Sequence, residues 1–249
     1  MYTSLDNWLE KGGSAVERPL LSAGTIVGGY RVDGLIGRGG FAEVYRVRHE
    51  ALGNVAALKI LHRTTPAAVE RFDREARFLM DHQHSALPRF MGYGTHDDHP
   101  YIVMEALEAR ELPSSDREVA AFLTRLCACV GYLHSQGVVH RDIKPENILF
   151  RADGTPVLVD LGLIKRVSDA VPAKAETISI ADGRAVAVGT PWFSAPEQFT
   201  GDDVSPATDV HALGAVAEVC FGGRPPRRVA TGDPPRDEFH PSGTLPLGG

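Results

Sequence analysis

The hydrophobic pattern of the chain changes period near Glu108, and that change limits the possible folds more than any other feature. Between Gly29 and about Met104, apolar residues alternate or cluster in short runs: "YRVDGLIG", "AEVYRVRHE", "VAALKIL" and "YIVMEAL". These are strand lengths, and turn residues such as the "GRGG" at 37–40 punctuate them. One segment breaks the pattern. "PAAVERFDREARFLMDH" places Val69, Phe72, Ala76, Leu79 and Met80 at helical spacing, with Pro66 near its start. After Glu108 the period becomes helical. "SSDREVAAFLTRLCACVGYLHSQG" reads as a long helix capped by Ser114, Ser115 or Asp116 and stopped by Gly137. "ATDVHALGAVAEVCFGG" reads as a second, largely apolar helix ending at Gly222–Gly223. The expected class is therefore α+β, a small sheet with one helix followed by a mainly helical part. At 249 residues the chain is long enough for two such lobes.

Composition excludes several functions. A net charge of −6 gives no global reason to expect nucleic-acid binding. No apolar run reaches the roughly 20 residues of a membrane-spanning helix, so no membrane span is expected. The start, "MYTSLDNWLEKGG", carries acids early and does not read as a signal peptide. The three cysteines, Cys127, Cys129 and Cys220, are a poor disulfide framework, so a cytoplasmic location is expected. Cys127 and Cys129 are both expected in the core of the long helix. "HDDH" at 96–99 lies between two predicted strands and reads as a solvated hairpin rather than a metal site.

Several short segments carry chemistry. Gly37, Gly39 and Gly40 join one strand to the next, whereas a dinucleotide-binding fold would run from its glycines into a helix. Such glycines either make a plain turn or let backbone N–H groups approach phosphate. Lys59, inside an apolar strand, is either an edge residue or a cation for phosphate oxygens, and Glu75 is the candidate acid to hold it. "VVHRDIKPENILF" at 138–150 sets His140, Arg141, Asp142, Lys144, Glu146 and Asn147 between two apolar runs. "VLVDLG" with Asp160 follows. Asp142 suits a general base, Lys144 a transferred phosphoryl group, and Asn147 and Asp160 a hard cation such as Mg²⁺.

In order along the chain, "GRGGFAEV", "VAALK", the helix Glu75, "HRDIKPEN", "DLG" and "APE" resemble the eukaryotic-type protein kinases, in their bacterial serine/threonine branch. The resemblance spans roughly residues 30–225. It implies a two-lobed kinase fold with a β-rich N-lobe and hinge at 25–107 and a helical C-lobe at 108–225. A loosely ordered leader is expected at 1–24 and a Pro/Gly-rich tail at 226–249. The C-lobe is expected to be cut short after the helix containing Asp209, removing the arginine that Glu197 would pair with.

By the same resemblance, Ile36, Gly37, Gly39 and Val44 cover the ATP phosphates and base, and Lys59 contacts phosphate and pairs with Glu75. Met104 is the gatekeeper, and Glu105 and Leu107 form the hinge. Val44, Ala57 and Leu149 sandwich adenine. Asp142 and Lys144 are catalytic, Asn147 and Asp160 hold Mg²⁺ (Mn²⁺ as a substitute), and Asp209 fixes the catalytic-loop backbone. Leu79, Phe90, His140 and Leu161 stack into a spine, and Thr190 lines the substrate pocket. Arg141 suggests control by phosphorylation at Thr177 or Ser179. The implied activity is that of a non-specific serine/threonine protein kinase using ATP and Mg²⁺. Its partners would be proteins bearing Ser or Thr, the chain itself included. A pseudokinase scaffold and, less well matched, a small-molecule phosphotransferase are the alternatives. The third glycine of the loop is Ala42, and the metal motif reads "DLG" rather than "DFG".

Overall fold

The computed structural model describes residues 18–163, 165–166, 178–181, 184–187, 192–200 and 204–222. The chain divides into two compact units, one running through Val69 and taking in Met91–Glu105, the other made of Glu70–Phe90 and everything from Ala106 onward. The first is β-rich and the second mainly helical, the α+β architecture expected from the change of period.

The first unit holds a six-stranded sheet in the order β1-β2-β3-β4-β6-β5. Its strands are β1 (Ile26–Val27), β2 (Tyr30–Arg38), β3 (Ala42–His49), β4 (Val55–Leu61), β5 (Phe90–His96) and β6 (His99–Glu105). Register sorts the side chains onto two faces, because successive residues of a strand point opposite ways. Tyr45 sits opposite Leu58, and Leu58 opposite Val103. These residues join Val27, Val32, Val47, Ala56 and Ile60 in a fully apolar cluster, closed by Leu21. The other face carries Val44 opposite Lys59 and Ala57 opposite Met104. Asp97 and Asp98, both at positive φ, make the two-residue turn between β5 and β6. "HDDH" is thus a hairpin, as its flanks predict.

Residues 18–24, expected to be loosely ordered, are held here. Leu21 is buried in the sheet cluster. Its N–H donates to the Tyr45 hydroxyl at 2.9 Å, and the Leu20 N–H donates to Glu43 Oε2 at 2.9 Å. Polar groups inside β3, at positions that an alternating pattern assigns to the core, are what bind the leader down.

The second unit is built on α1 (Pro66–Asp81), α2 (Asp116–Ser135) and α4 (Pro206–Cys220), with the short α3 (Glu197–Thr200). The first turn of α1, through Val69, falls in the β-rich unit. Phe78 and Leu79 of α1, Val119, Phe122, Leu126, Val130 and Leu133 of α2, and Ala212, Ala215 and Val216 of α4 form one core. Met80, expected on the buried face of α1, is exposed, since it lies about 100° around the helix from Leu79. The same geometry separates the α2 cysteines: Cys129 is buried and Cys127 exposed, about 200° away. Two antiparallel ribbons, β7 (Val138–Val139) with β10 (Lys165–Arg166) and β8 (Ile148–Phe150) with β9 (Pro156–Leu158), sit on the helices. A further hairpin pairs β11 (Ile178–Ala181) with β12 (Arg184–Ala187). The tail at 226–249 and most of the leader lie outside the described residues.

Candidate active site

The segment "VVHRDIKPENILF" is pinned by its apolar members. Val138, Val139, Ile143, Ile148 and Phe150 are buried in the helical unit. Pro145–Asn147 form a single 3-10 turn between them. Ile143 is buried between Asp142 and Lys144, which are both partly exposed. The Lys144 Nζ donates to Asp142 Oδ2 at 2.9 Å. The Asn147 Nδ2 donates to the same oxygen at 2.9 Å and to the Asp142 backbone carbonyl at 2.8 Å. A carboxylate oxygen held by an ammonium and an amide is locked in rotamer.

The loop backbone is braced from α4. Asp209 is fully buried, and its carboxylate accepts from the N–H groups of His140 (2.9 Å) and Arg141 (2.8 Å). It also bonds the His134 Nε2 at 2.8 Å. Arg141 takes φ +74, a left-handed conformation unfavourable for a side chain with a Cβ. His140 is wholly buried, and desolvation pushes its imidazole below the usual histidine range, against the pull of Asp209, Asp142 and Asp160. Its Nδ1 lies 3.3 Å from the Asp142 N–H, a bond that only the neutral ring accepts.

The β8–β9 hairpin brings together residues that the sequence separates. Ile148 lies opposite Leu158, and one step further the Val159 N–H donates to the Asn147 carbonyl at 2.8 Å. Asn147 and Asp160 therefore emerge at the same end of one ribbon. Asp160 is at φ +64, and Gly162 follows in a 3-10 turn. A Cβ on Gly162 would lie 3.3 Å from Asp160 Oδ1 and 3.5 Å from Glu75 Oε2, so glycine leaves room for both carboxylates there. Glu75 is buried on α1. An amide carbonyl and a carboxylate are the hard oxygens that Mg²⁺ takes, so these residues fit that cation.

In the β-rich unit, the Gly39 N–H donates to the Ala42 carbonyl at 2.8 Å and closes the glycine turn. The Phe41 carbonyl accepts from the N–H groups of His62 (2.9 Å) and Arg63 (3.3 Å), and the His62 ring bonds the Gly39 carbonyl at 3.2 Å. Gly37, Gly39 and Gly40 have ordinary negative or extended φ, and a Cβ at any of them would meet nothing closer than 3.6 Å. Among the described residues, then, internal packing is not what calls for glycine there. Ile36 is exposed, while Val44, Ala57, Lys59 and Met104 share one face of the sheet.

Leu79 and Leu161 belong to the helical core with Phe90 packed against it, so three of the four spine residues share one cluster, and His140 is buried beside the loop it begins. Glu105 closes β6 opposite Ala56, and Leu107 and Leu149 are half-buried. The Glu108 and Phe150 backbones exchange two bonds of 2.8 Å that tie the start of the helical unit to β8. Lys59 and Glu75 fall in different units, as do Val44 and Leu149. Ser179 lies in β11 opposite Val186, while Thr177 and Thr190 lie outside the described residues. Glu197, whose usual arginine partner is expected to be missing, accepts from the Thr208 hydroxyl at 2.6 Å. Sequence reasoning did not single out Glu43, His62, His134, Gln198 or Thr208. Each acts through a contact far along the chain, which no local pattern announces.

The protein kinase domain family matches residues 30–238, and the chain belongs to that family. It is 32% identical over 217 residues to serine/threonine-protein kinase PknH of Mycobacterium bovis, which covers 83% of this chain and 35% of the relative. It is 33% identical over 212 residues to serine/threonine-protein kinase pkn2 of Myxococcus xanthus, 80% of this chain and 25% of the relative. A probable serine/threonine-protein kinase PknB of Corynebacterium glutamicum is 30% identical over 212 residues, 79% of this chain and 32% of the relative. The chain thus spans about a quarter to a third of the length of these relatives. No helix among the described residues is long and apolar enough to cross a membrane.

Proposed function

We propose that this chain transfers the γ-phosphoryl group of Mg·ATP to serine or threonine hydroxyls of proteins, its own included. The observation that carries this reading is the Asp142 carboxylate, bonded by Lys144 and Asn147 through Oδ2 on a loop braced by Asp209. Among the described residues both bonds fall on Oδ2, so Oδ1 is the oxygen offered to an incoming hydroxyl. In the reaction the bond from the γ-phosphorus to the β,γ-bridging oxygen breaks and its electron pair leaves with ADP. A new bond forms from phosphorus to the hydroxyl oxygen, and the hydroxyl proton passes to Asp142. Lys144, beside that carboxylate, offsets charge on the moving phosphoryl group. Asn147 and Asp160 would hold Mg²⁺, which supplies charge neutralisation of the phosphates when bound. By the resemblance, Lys59 would hold the α- and β-phosphates, with Glu75 as its expected acid. The glycines from Gly37 to Gly40, which carry no side chains to obstruct, would let phosphate approach the backbone of the turn. By the same resemblance, Glu105 and Leu107 would bind adenine through backbone groups, Val44, Ala57 and Leu149 would sandwich it, and Met104 would be the gatekeeper.

Arg141 supports a further element of the reading. Phosphate on Thr177 or Ser179 would pair with its guanidinium and hold the segment from Asp160 to Glu197 against it. Phosphosite mapping of active protein that finds both hydroxyls unmodified would remove this part. The whole reading is tested by incubating the purified chain with γ-labelled ATP, Mg²⁺ and casein, with Lys59→Met as control. Label on Ser or Thr that disappears in the control supports a protein kinase. Nucleotide binding without transfer would leave a scaffold.

A further inference from the structure

Gln198 stands directly after the "APE" segment and is buried, yet the proposed chemistry does not use it. Its side chain is a two-way bridge. The Oε1 accepts from the Ala195 N–H at 3.0 Å, and the Nε2 donates to the Arg141 carbonyl at 2.8 Å. The second bond reaches 57 residues back along the chain, to the residue before Asp142.

Arg141 needs such a bond. At φ +74 its backbone is in a conformation that persists only where the surroundings over-determine it. Its N–H is taken by Asp209 Oδ1 at 2.8 Å and its carbonyl by Gln198 Nε2 at 2.8 Å. The two clamps come from different elements, α4 and the start of α3, and grip opposite ends of one strained residue. The carbonyl of Arg141 is half of the peptide whose other half is the N–H of Asp142. Its orientation therefore sets the direction in which the Asp142 side chain leaves the loop.

The bracing elements are themselves joined. The Thr208 hydroxyl, one residue before Asp209, donates to Glu197 Oε1 at 2.6 Å, one residue before Gln198. Thr208 in turn belongs to the capping box that starts α4 at Ser205. Ala195–Gln198 and the loop carrying Asp142 are thus joined by two routes, directly through Gln198 and indirectly through Glu197, Thr208 and Asp209.

We propose that Gln198 is a positioning residue for Asp142: it holds the Arg141 peptide in its left-handed conformation and ties that conformation to the docked state of Ala195–Gln198. This rests on the proposed kinase reading for its effect on rate but not for its effect on the loop. A segment that pulls away from its dock withdraws the donor from the Arg141 carbonyl, and the strained residue relaxes. Docking of the segment and aim of the catalytic carboxylate are then one event.

The test uses the full chain and two variants. Gln198→Glu keeps the shape and the acceptor for Ala195 but, when ionised, loses the donor to Arg141. Gln198→Leu loses both. Hydrogen exchange at the amides of residues 140–142 is measured first. The inference expects at least tenfold faster exchange there in both variants, with the α2 amides unchanged. Steady-state kinetics on casein are measured beside it. A fall in kcat of about tenfold or more with the KM for ATP held within about twofold is expected, the pattern of an aim lost after nucleotide has bound. Unchanged exchange at 140–142 overturns the inference whatever the rates do. Faster exchange in α2 as well assigns Gln198 to general packing and also overturns it. If the unmodified chain transfers no phosphate while both variants loosen 140–142, the bracing stands and the kinase reading fails.

Discussion

At the scale of the residue, the proposed activity depends on how few alternatives Asp142 is given. Two donors fix Oδ2, and the backbone on either side is taken by Asp209, Gln198 and Asn147. Replacing Asp142 with Asn keeps the size and removes the proton acceptor. The expected outcome is a loss of roughly 10²–10⁴ in kcat with nucleotide affinity retained, read by steady-state assay and by calorimetric titration with ADP. Wild-type activity in that variant would sink the assignment. Asp209→Asn makes a different prediction. A buried carboxylate that accepts from two backbone N–H groups is replaced by an amide that must turn one end away, leaving a donor facing a donor. Stability should fall by about 2–3 kcal/mol, the worth of charge-assisted bonds lost in a buried site, measured by urea unfolding. An effect under half a kcal/mol would mean that the loop is held by something else.

At the scale of the element, two devices govern how the pieces start and what they cover. Ser205 caps α4: its hydroxyl accepts from the Ala207 N–H, and Thr208 closes the box. Ser205→Ala should cost about 1 kcal/mol in urea unfolding. Because Thr208 and Asp209 sit in that first turn, some of the cost should appear as faster exchange at residues 140–141. The second device is the buried carboxylate of β3. Glu43 bonds the Tyr45 hydroxyl, pairs with Arg38 across the glycine hairpin at 2.9 Å, and holds the Leu20 N–H. Glu43→Gln introduces an amide donor among three donors. We expect residues 18–21 to become cleavable in limited proteolysis and the KM for ATP to rise, since the leader and the hairpin share this group. Resistance to cleavage equal to wild type would show that Leu21 packing alone holds the segment.

At the scale of the whole molecule, stability should be bounded by pH on both sides. Burial lowers the histidines His140 and His84, so folding excludes their protons. Their contribution is full above the ordinary histidine value of about 6.5 and is lost as pH falls below it. On the alkaline side, burial pushes Tyr45 up to about 12, with its bond to Glu43 acting in the same direction, and burial pushes Cys129 up to about 12. Folding therefore keeps their protons. That contribution is full below the unfolded values of 9.0 for the thiol and 10.0 for the phenol and is lost as pH rises toward 12. Thermal melts from pH 4 to 11 should show a plateau between about 7 and 9. Tyr45→Phe should flatten the alkaline limb above pH 10, and an unchanged limb would leave the thiols as its cause.

Periodicity alone carried the architecture. The runs of β2, β3, β4 and β6, the spacing in α1, and the stops of α2 and α4 are local signals, and local geometry obeys them: Gly137 and Gly222, both at positive φ, stand just past the helix ends. Ser115 begins α2 without a side-chain cap bond. The order of motifs marked Asp142, Lys144, Asn147, Asp160 and Asp209 as candidates, and the structure bonds Lys144 and Asn147 to Asp142 and the loop backbone to Asp209. What the linear order does not hold is contact between distant residues. It could not say that Met80 and Cys127 face outward, since an apolar stripe a few residues wide leaves its edge undetermined. Nor could it show Leu21 in the sheet core, Glu43 buried beneath the leader, or Gln198 gripping the Arg141 carbonyl. Those pairings cost chain entropy to make and are chosen only when packing brings 20 to 60 residues of intervening chain into register. Sequence determined which groups are available for the chemistry. Tertiary structure decided how firmly each is held, because a hydrogen bond between elements exists only once both elements are in place.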